Sequence, residues 1–424
     1  MRILILVDCY LPSPHGAAKL IHDLGVELQR QGHEVTILTV SSDMSGKFEV
    51  SSEHGLRVAR VRVGPIKGAS RVVRAFNEAR LSSVVWRRAG VFLAQNRADL
   101  IVFHSPTIFF GALIRRLKSL WGCPAYMILR DIFPQWAVDA GILRRGLVWR
   151  FFRWKEVEQY EVSDVIGVQT PGDLKYFQRS FPHNKKYQLE VLYNWTALDA
   201  PDLTPAHYRA DLGLRDKIVF FYGGNLGVAQ DLENILRLAR SLVNHPEIYF
   251  LLVGEGSEAG RLERAIVAEG LLNIQILPSV DQLTYLSMLG EFDVGLISLD
   301  RRIAIHNLPS KLLGYMFQSM PTLASVNPGH DLFEILEKNQ AGVCLLNGDD
   351  ERLCAAALRL ANDSELRKRM GQNSRKVLER LFSVNAAAAQ ILTHFQPQAV
   401  ETMEGAAVEA MGISLSRGRF PAEQ

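Results

Sequence analysis

The sequence predicts an α/β protein built from two doubly wound, parallel-sheet domains. Short apolar runs such as Ile3–Val7 and Ile218–Tyr222 alternate with stretches of helical spacing, which is the order of βαβ units. Those runs end in polar or glycine-rich residues, as parallel strands do where their carboxyl ends line a ligand crevice. Two such series fit within 424 residues, separated by a segment from Leu198 to Pro205 that also holds Pro201 and reads as a linker.

In chain order, residues 3–7 form a buried strand, followed by the loop Pro12-Ser13-Pro14-His15-Gly16. Residues 17–31 place Leu20, Leu24 and Leu28 on one helical face, Gly32 stops the helix, and Val35–Val40 is the next strand. Gly16 sits at the mouth of the first strand, where a backbone can approach a ligand closely. Residues 56–63 read as an edge strand and residues 70–95 as one long helix rich in arginine. Three further strands end in polar residues: 99–103 in His104-Ser105-Pro106, 125–129 in Arg130-Asp131, and 165–169 in Thr170-Pro171. A short strand over 191–196 precedes the linker.

The second series opens at Ile218–Tyr222 and runs into Gly223-Gly224-Asn225-Leu226-Gly227. A helix (231–244), a strand (248–253) and the turn Gly254-Glu255-Gly256 follow. Then come a helix (258–268), the strand 274–277 with Pro278-Ser279-Val280, a helix near 282–290 and the strand 294–297. The stretch Asn307-Leu308-Pro309-Ser310-Lys311 turns into a helix carrying Gly314 and Tyr315, and a strand begins near Pro321. A helix (332–338), the strand 342–345 and Ala/Leu/Arg-rich helices finish the domain, and residues 397–424 read as a loose tail.

Composition narrows the function classes. The 48% hydrophobic and 22% charged residues are those of a globular protein, and no apolar run reaches the length of a membrane span. Met1–Val7, broken by Asp8, is too short for a signal peptide. Four scattered cysteines argue against a zinc site or a disulfide framework and make the reducing cytoplasm the default compartment. Residues 1–190 hold 27 Lys/Arg against 17 Asp/Glu, whereas 191–424 hold 21 against 28. The basic half therefore suits an anionic surface. Residues 143–155 mix arginine with Trp and Phe, which fits either a membrane interface or a helix whose aromatics fill the core. No nucleic-acid motif accompanies the charge.

Pro309 suits a first helical turn, and Ser310 with the amides around it would point at whatever precedes the helix. Lys311 adds a full charge, so the stretch reads either as a diphosphate site or as an ordinary capped surface helix. The two glycine turns and Lys311 would share one edge of one sheet, which favours a nucleotide there. His104 and Asp131 share strand-end positions. The histidine is a structural or a site residue; the aspartate is a charge stabiliser or proton acceptor, or caps the turn before Pro134. No Asp-x-Asp, His-x-x-x-His or Ser-His-Asp pattern occurs, and no metal or other cofactor is expected.

These residues together resemble the retaining, nucleotide-sugar-dependent glycosyltransferases of GT-B architecture, over roughly residues 1–395. The resemblance rests on Tyr10-Leu11-Pro12 to Gly16, Gly32-His33-Glu34-Val35, Gly223–Gly227, Val253–Gly256, and Pro309-Ser310-Lys311 with Tyr315-Met316 and Pro321. His104-Ser105-Pro106 and Arg130–Pro134 look like a branch that adds amino or deoxy sugars to lipid-linked glycans of bacterial surface polysaccharides.

The resemblance implies an acceptor domain over 1–197, a donor domain over 206–378 and a helix over 379–396 that crosses back to the first domain. It implies donor contacts at Gly16, Gly224, Asn225, Leu226, Gly254, Val280, Asn307, Leu308, Ser310, Lys311 and Gly314, with catalytic roles for His104, Arg130, Asp131 and His306. Where the family often carries two glutamates around the lysine motif, this chain holds His306 and Gly314, so His306 is placed by the donor sugar. Asn225 and Gln230 stand in place of a frequent Arg and Lys, which leaves Lys311, helped by Arg130, as the phosphate cation.

The expected activity is metal-independent transfer from a UDP-sugar to a polyprenyl-pyrophosphate-linked acceptor, with the basic first domain peripheral on the inner membrane face. A nucleotide-sugar epimerase of similar fold and a non-catalytic sugar-nucleotide-binding partner are the alternatives.

Overall fold

The computed structural model describes residues 1–13, 16–66, 71–105, 107–139, 143–181, 187–199, 207–302 and 308–395. The expected tail, 397–424, lies outside them. The first sheet comprises β1 (Arg2–Val7), β2 (Glu34–Ser41), β3 (Phe48–Glu53), β4 (Leu56–Arg62), β5 (Leu100–His104), β6 (Ala125–Leu129), β7 (Val165–Val168) and β8 (Gln188–Val191). Their order is β3-β4-β2-β1-β5-β6-β7-β8, parallel throughout apart from β3 on β4. Ile5 pairs with Ile37 on one side and Val102 on the other, both in parallel, so the order in which successive strands are added reverses between β1 and β5. Apolar residues on both faces explain the nearly continuous hydrophobic runs, because helices cover both sides of a parallel sheet.

Three expectations are corrected here. Residues 56–63 are not the edge: β3 lies outside β4, joined by a His54-Gly55 turn with φ of 49° and 84°. Positive φ at both turn residues gives the twist a tight hairpin needs. The single helix expected over 70–95 is two helices, Arg71–Ala79 and Leu81–Gln95. Leu81, Val85, Ala89 and Leu93 recur every four residues and are buried, while Phe76 on the first piece is exposed, so only the second follows the core. The strand expected over 191–196 is β8, ending at Val191, and Leu192 onward already belongs to the connection.

The second sheet comprises β9 (Ile218–Gly223), β10 (Ile248–Val253), β11 (Ile274–Leu277), β12 (Val294–Ser298), β13 (Thr322–Val326) and β14 (Gly342–Leu346). Its order is β11-β10-β9-β12-β13-β14, all parallel, with the reversal between β9 and β12. Open α/β sheets bind ligands at the carboxyl end of such a reversal.

The chain crosses between domains twice. After β8 it runs through Trp195, whose indole N–H donates to Leu20 O at 2.9 Å. It returns after Phe382: Thr196 N donates to Phe382 O (2.8 Å) and Val384 N to Thr196 O (3.0 Å). The last described helix, Val384–Thr393, then packs on Gly16–Arg30. Val384, Ala388, Ile391 and Leu392 join the apolar cluster of Ile3, Ile5, Leu24 and Leu28. Burying each large aliphatic side chain there contributes about 1.5–3 kcal/mol.

Candidate active site

At the second sheet's reversal, one lysine is seated without a counter-ion. Lys311 opens the helix Lys311–Phe317. Its Nζ lies 3.8 Å from the centroid of the Tyr222 ring, and Tyr222 stands at the end of β9. Half-buried and with no carboxylate partner among the described residues, the ammonium has its pKa pulled down by desolvation to about 7. A Cβ on Gly224 would lie 3.9 Å from the same Nζ, so the glycine turn after β9 faces the lysine directly.

The helix that carries Lys311 is pinned by Tyr315, one turn further on. The Tyr315 hydroxyl lies 3.3 Å from Phe221 O on β9 and 3.1 Å from Leu296 O on β12, and accepts from Gly223 N at 3.4 Å. The residue therefore bridges the two strands between which the sheet reverses. Its ring lies over Gly295, where any side chain would overlap it. Tyr315→Phe leaves the buried Gly223 N–H without this acceptor, and a loss of about 1–3 kcal/mol is expected in a urea unfolding titration. An unchanged midpoint would show that the hydroxyl holds nothing.

Several sequence-based assignments change here. Ser310 is exposed, lies in helical conformation and makes no side-chain cap. Leu312 N and Leu313 N donate to Pro309 O and Ser310 O and so close the first turn of the helix. Leu226 is fully buried in the core; its N–H donates to Glu255 O and its carbonyl accepts from Glu258 N, which leaves it nothing for a donor. Gly314 packs on Leu289 and Tyr285, where a Cβ would come within 3.0 Å and 3.4 Å.

Gly254 is explained by the second glycine turn itself, since a side chain there would overlap Gly224 O. Asn225 is exposed and its amide donates to Gln230 at 3.0 Å, so the two residues noted in place of cations bond each other. Leu308 is half-buried against the core and Val280 is exposed beyond β11. His306 and Asn307 lie outside the described residues.

The first domain offers a different edge. His104, at the end of β5, is 3% exposed, and burial with Arg130 nearby pushes its pKa down to about 3. The imidazole is therefore neutral, with a buried Nδ1 that lacks a partner among the described residues. The Arg130 guanidinium lies near three carbonyls, Leu129 O (3.2 Å), Gly167 O (3.5 Å) and Tyr193 O (3.4 Å), while its buried Nε has no partner among the described residues. It ties β6, β7 and the interdomain connection together, and burial lowers its pKa to about 10. Asp131 is exposed at the crevice, and crowding by protein, with Asp8 nearby, raises its pKa. Gly16 opens its helix with no atom within 4 Å of a Cβ position.

The two edges face each other. Gly172 N, just past β7, donates to the Asp331 carboxylate just past β13, at 3.0 Å. This bond holds the carboxyl ends of both sheets toward one crevice. Neither residue stood out in the sequence, because only the fold brings positions 159 apart together. Asp331→Ala is expected to weaken closure by about 1 kcal/mol. Small-angle scattering should then show a larger radius of gyration, and an unchanged radius would deny the bond that role.

Two parallel-sheet α/β domains facing through their carboxyl edges, with a seated cation at one reversal, define the GT-B class of fold. Residues 15–195 match the Glycosyl transferase 4-like domain and residues 206–377 the Glycosyl transferases group 1 domain. The chain belongs to this two-domain glycosyltransferase family. It is 28% identical over 337 residues, 74% of this chain and 80% of the relative, to Escherichia coli (strain K12) WcaI, named for colanic acid biosynthesis glycosyl transfer. It is 26% identical over 193 residues, 44% of this chain and 47% of the relative, to the alpha-D-kanosaminyltransferase of Streptomyces kanamyceticus. Anabaena HepE, solved with UDP, superposes with a TM-score of 0.65 at 15% identity, covering 93% of this chain and 99% of that one. The sequence reading gave Tyr222 no site role, and it quoted Tyr315 only as part of the resemblance. Tyr315 stands four residues after Lys311, and a glycine inside β12 was the trace of its ring.

Proposed function

We propose that this glycosyltransferase moves a sugar, of the N-acetylated amino or deoxy class, from a UDP-sugar to a lipid-linked glycan, with retention at the anomeric carbon, in bacterial surface polysaccharide synthesis. The observation that carries the reading is Lys311, a half-buried cation without a carboxylate partner among the described residues, seated on Tyr222 at the sheet reversal beside the Gly224 turn. The solved complex of HepE with UDP and the colanic acid relative support the donor and the pathway.

In the proposed reaction the bond from the anomeric carbon to the diphosphate breaks, and negative charge grows on the departing phosphate. A preoriented ammonium is worth most at that moment, because it does not reorganise as charge develops. The acceptor hydroxyl attacks from the face the diphosphate leaves, and its proton passes to a departing phosphate oxygen. Asp131 lies open on the opposing edge, where it can orient that hydroxyl. Neutral His104 adds hydrogen bonding without charge. Closure of the domains keeps water from the activated sugar.

A thermal-shift screen against UDP, other nucleoside diphosphates and UDP-sugars tests the donor. A ligand at 100 times its Kd stabilises by about 2.7 kcal/mol, a readily visible shift. UDP and at least one UDP-sugar should raise Tm. Product analysis with radiolabelled donor should show transfer only when acceptor is present. Conversion of the donor sugar without acceptor would indicate epimerisation, and no shift with any nucleotide would sink the donor reading.

A further inference from the structure

Away from the donor edge, the first domain carries a cavity of about 510 Å³ lined by Arg145, Trp149, Arg153, Tyr176 and Arg179 among others, all described lining residues falling within 135–180. Three guanidinium groups converge on it. Arg153 is held in place: it donates to Glu156 (2.9 Å) and Ser180 O (2.8 Å) and lies 3.6 Å over the Phe181 ring. Arg145 and Arg179 are exposed and make no ion pair among the described residues, so their charge is available to a ligand. The Trp149 indole N–H, buried beside the cavity, has no hydrogen-bond partner among the described residues. Buried donors normally have one, so this group also awaits an acceptor.

The helix Leu147–Glu161 supplies Trp149 and Arg153 one turn apart on one face. On another face, Leu147, Phe151 and Trp154 recur at spacings of four and three, and are 83%, 38% and 58% exposed. At about 100° per residue, Arg150 stands between that apolar stripe and the cavity face. The sequence left open whether these aromatics fill the core or face a membrane. Phe152 packs on the core, whereas Phe151 and Trp154 stay outside it.

We propose that this cavity binds the phosphate or diphosphate headgroup of a lipid, whose apolar chain lies along the Leu147–Phe151–Trp154 stripe. Converging guanidinium groups suit phosphate oxygens through charge-assisted, paired hydrogen bonds. A cavity built only for a soluble anion would have no use for an uncovered apolar stripe on the same helix. Gln135, also lining the cavity, follows directly on the 130–134 segment that carries Asp131. This deepens the acceptor side of the reading above and is independent of the donor.

The probe is farnesyl diphosphate below its micelle concentration, titrated calorimetrically into the full chain beside inorganic pyrophosphate and farnesol. Farnesyl diphosphate should bind at least tenfold tighter than either. Arg145→Gln/Arg179→Gln should weaken it at least tenfold and leave UDP binding unchanged. Leu147→Ser/Trp154→Ser should weaken farnesyl diphosphate severalfold without altering pyrophosphate. All four residues are exposed or half-buried on the surface, so folding is not at stake, and circular dichroism verifies this. Equal binding of pyrophosphate and farnesyl diphosphate would overturn the lipid, and undiminished binding in the arginine variant would overturn the cavity. A chain that binds farnesyl diphosphate but not UDP would sink the donor reading and leave this one standing.

Discussion

Lys311→Met is expected to lower turnover by about 10²–10³-fold, the usual effect of removing one preoriented charge stabiliser. The same variant should keep its Tm or gain slightly, because the lysine has no carboxylate to lose and methionine carries no charge to desolvate. Loss of activity without loss of stability separates a site residue from a structural one. The substitution also has a pH signature. The ammonium titrates at about 7 in the folded chain, against roughly 10.4 when unfolded.

Between those values the unfolded chain holds more protons, so this group makes stability rise with pH across that window. Below about 7 both states are protonated and the full desolvation cost is present. A bound diphosphate restores the charged form. At pH 8, UDP binding should therefore take up close to one proton, measured by calorimetry in buffers of different ionisation enthalpy. Lys311→Met should abolish the uptake. Binding without proton exchange in the parent protein would place the diphosphate elsewhere.

Gly254→Ala should unfold the donor edge at low urea and reduce UDP affinity, at a cost of about 3 kcal/mol. The added methyl would overlap Gly224 O, a backbone atom that no rotamer change can move aside. The two turns are joined by Gly224 N to Val253 O and Leu226 N to Glu255 O, both 2.9 Å, so separating them shifts the Gly224 turn that faces Lys311. Gly32→Ala is the control. Its φ of 86° alone demands glycine, and nothing lies within 4 Å of the added carbon. About 1–2 kcal/mol of stability should go there with UDP affinity intact. Equal UDP affinities in the two variants would show that turn packing does not set the donor site.

The parallel strands were legible because both of their faces are covered: Ala125–Leu129 is apolar at nearly every position and was delimited from the sequence alone. The strands that escaped or were misplaced are the outermost ones. Phe48–Glu53 and Gln188–Val191 contain no fully buried residue, so little hydrophobic signal marks them. At the site, Lys311 was legible as a charge on a turn after a proline. The surroundings of Arg130 were not legible, since nothing local says that carbonyls from positions 129, 167 and 193 converge on it. The glycine turns were located correctly in the chain but for an incomplete reason: Gly254 accommodates another backbone segment rather than a ligand.

The closing helix sets a constraint on synthesis. Chains emerge from the ribosome N-terminus first, at about 5–20 residues per second. The surface formed by Leu24, Leu28 and Ile3 is capped by Ile391 and Leu392, which are translated only after the second domain. The first domain thus waits, with a greasy flank uncovered, while the whole second domain is made, for roughly 10–40 s at those speeds. A truncated chain stopping short of residue 384 would never cover it and should be a chaperone client.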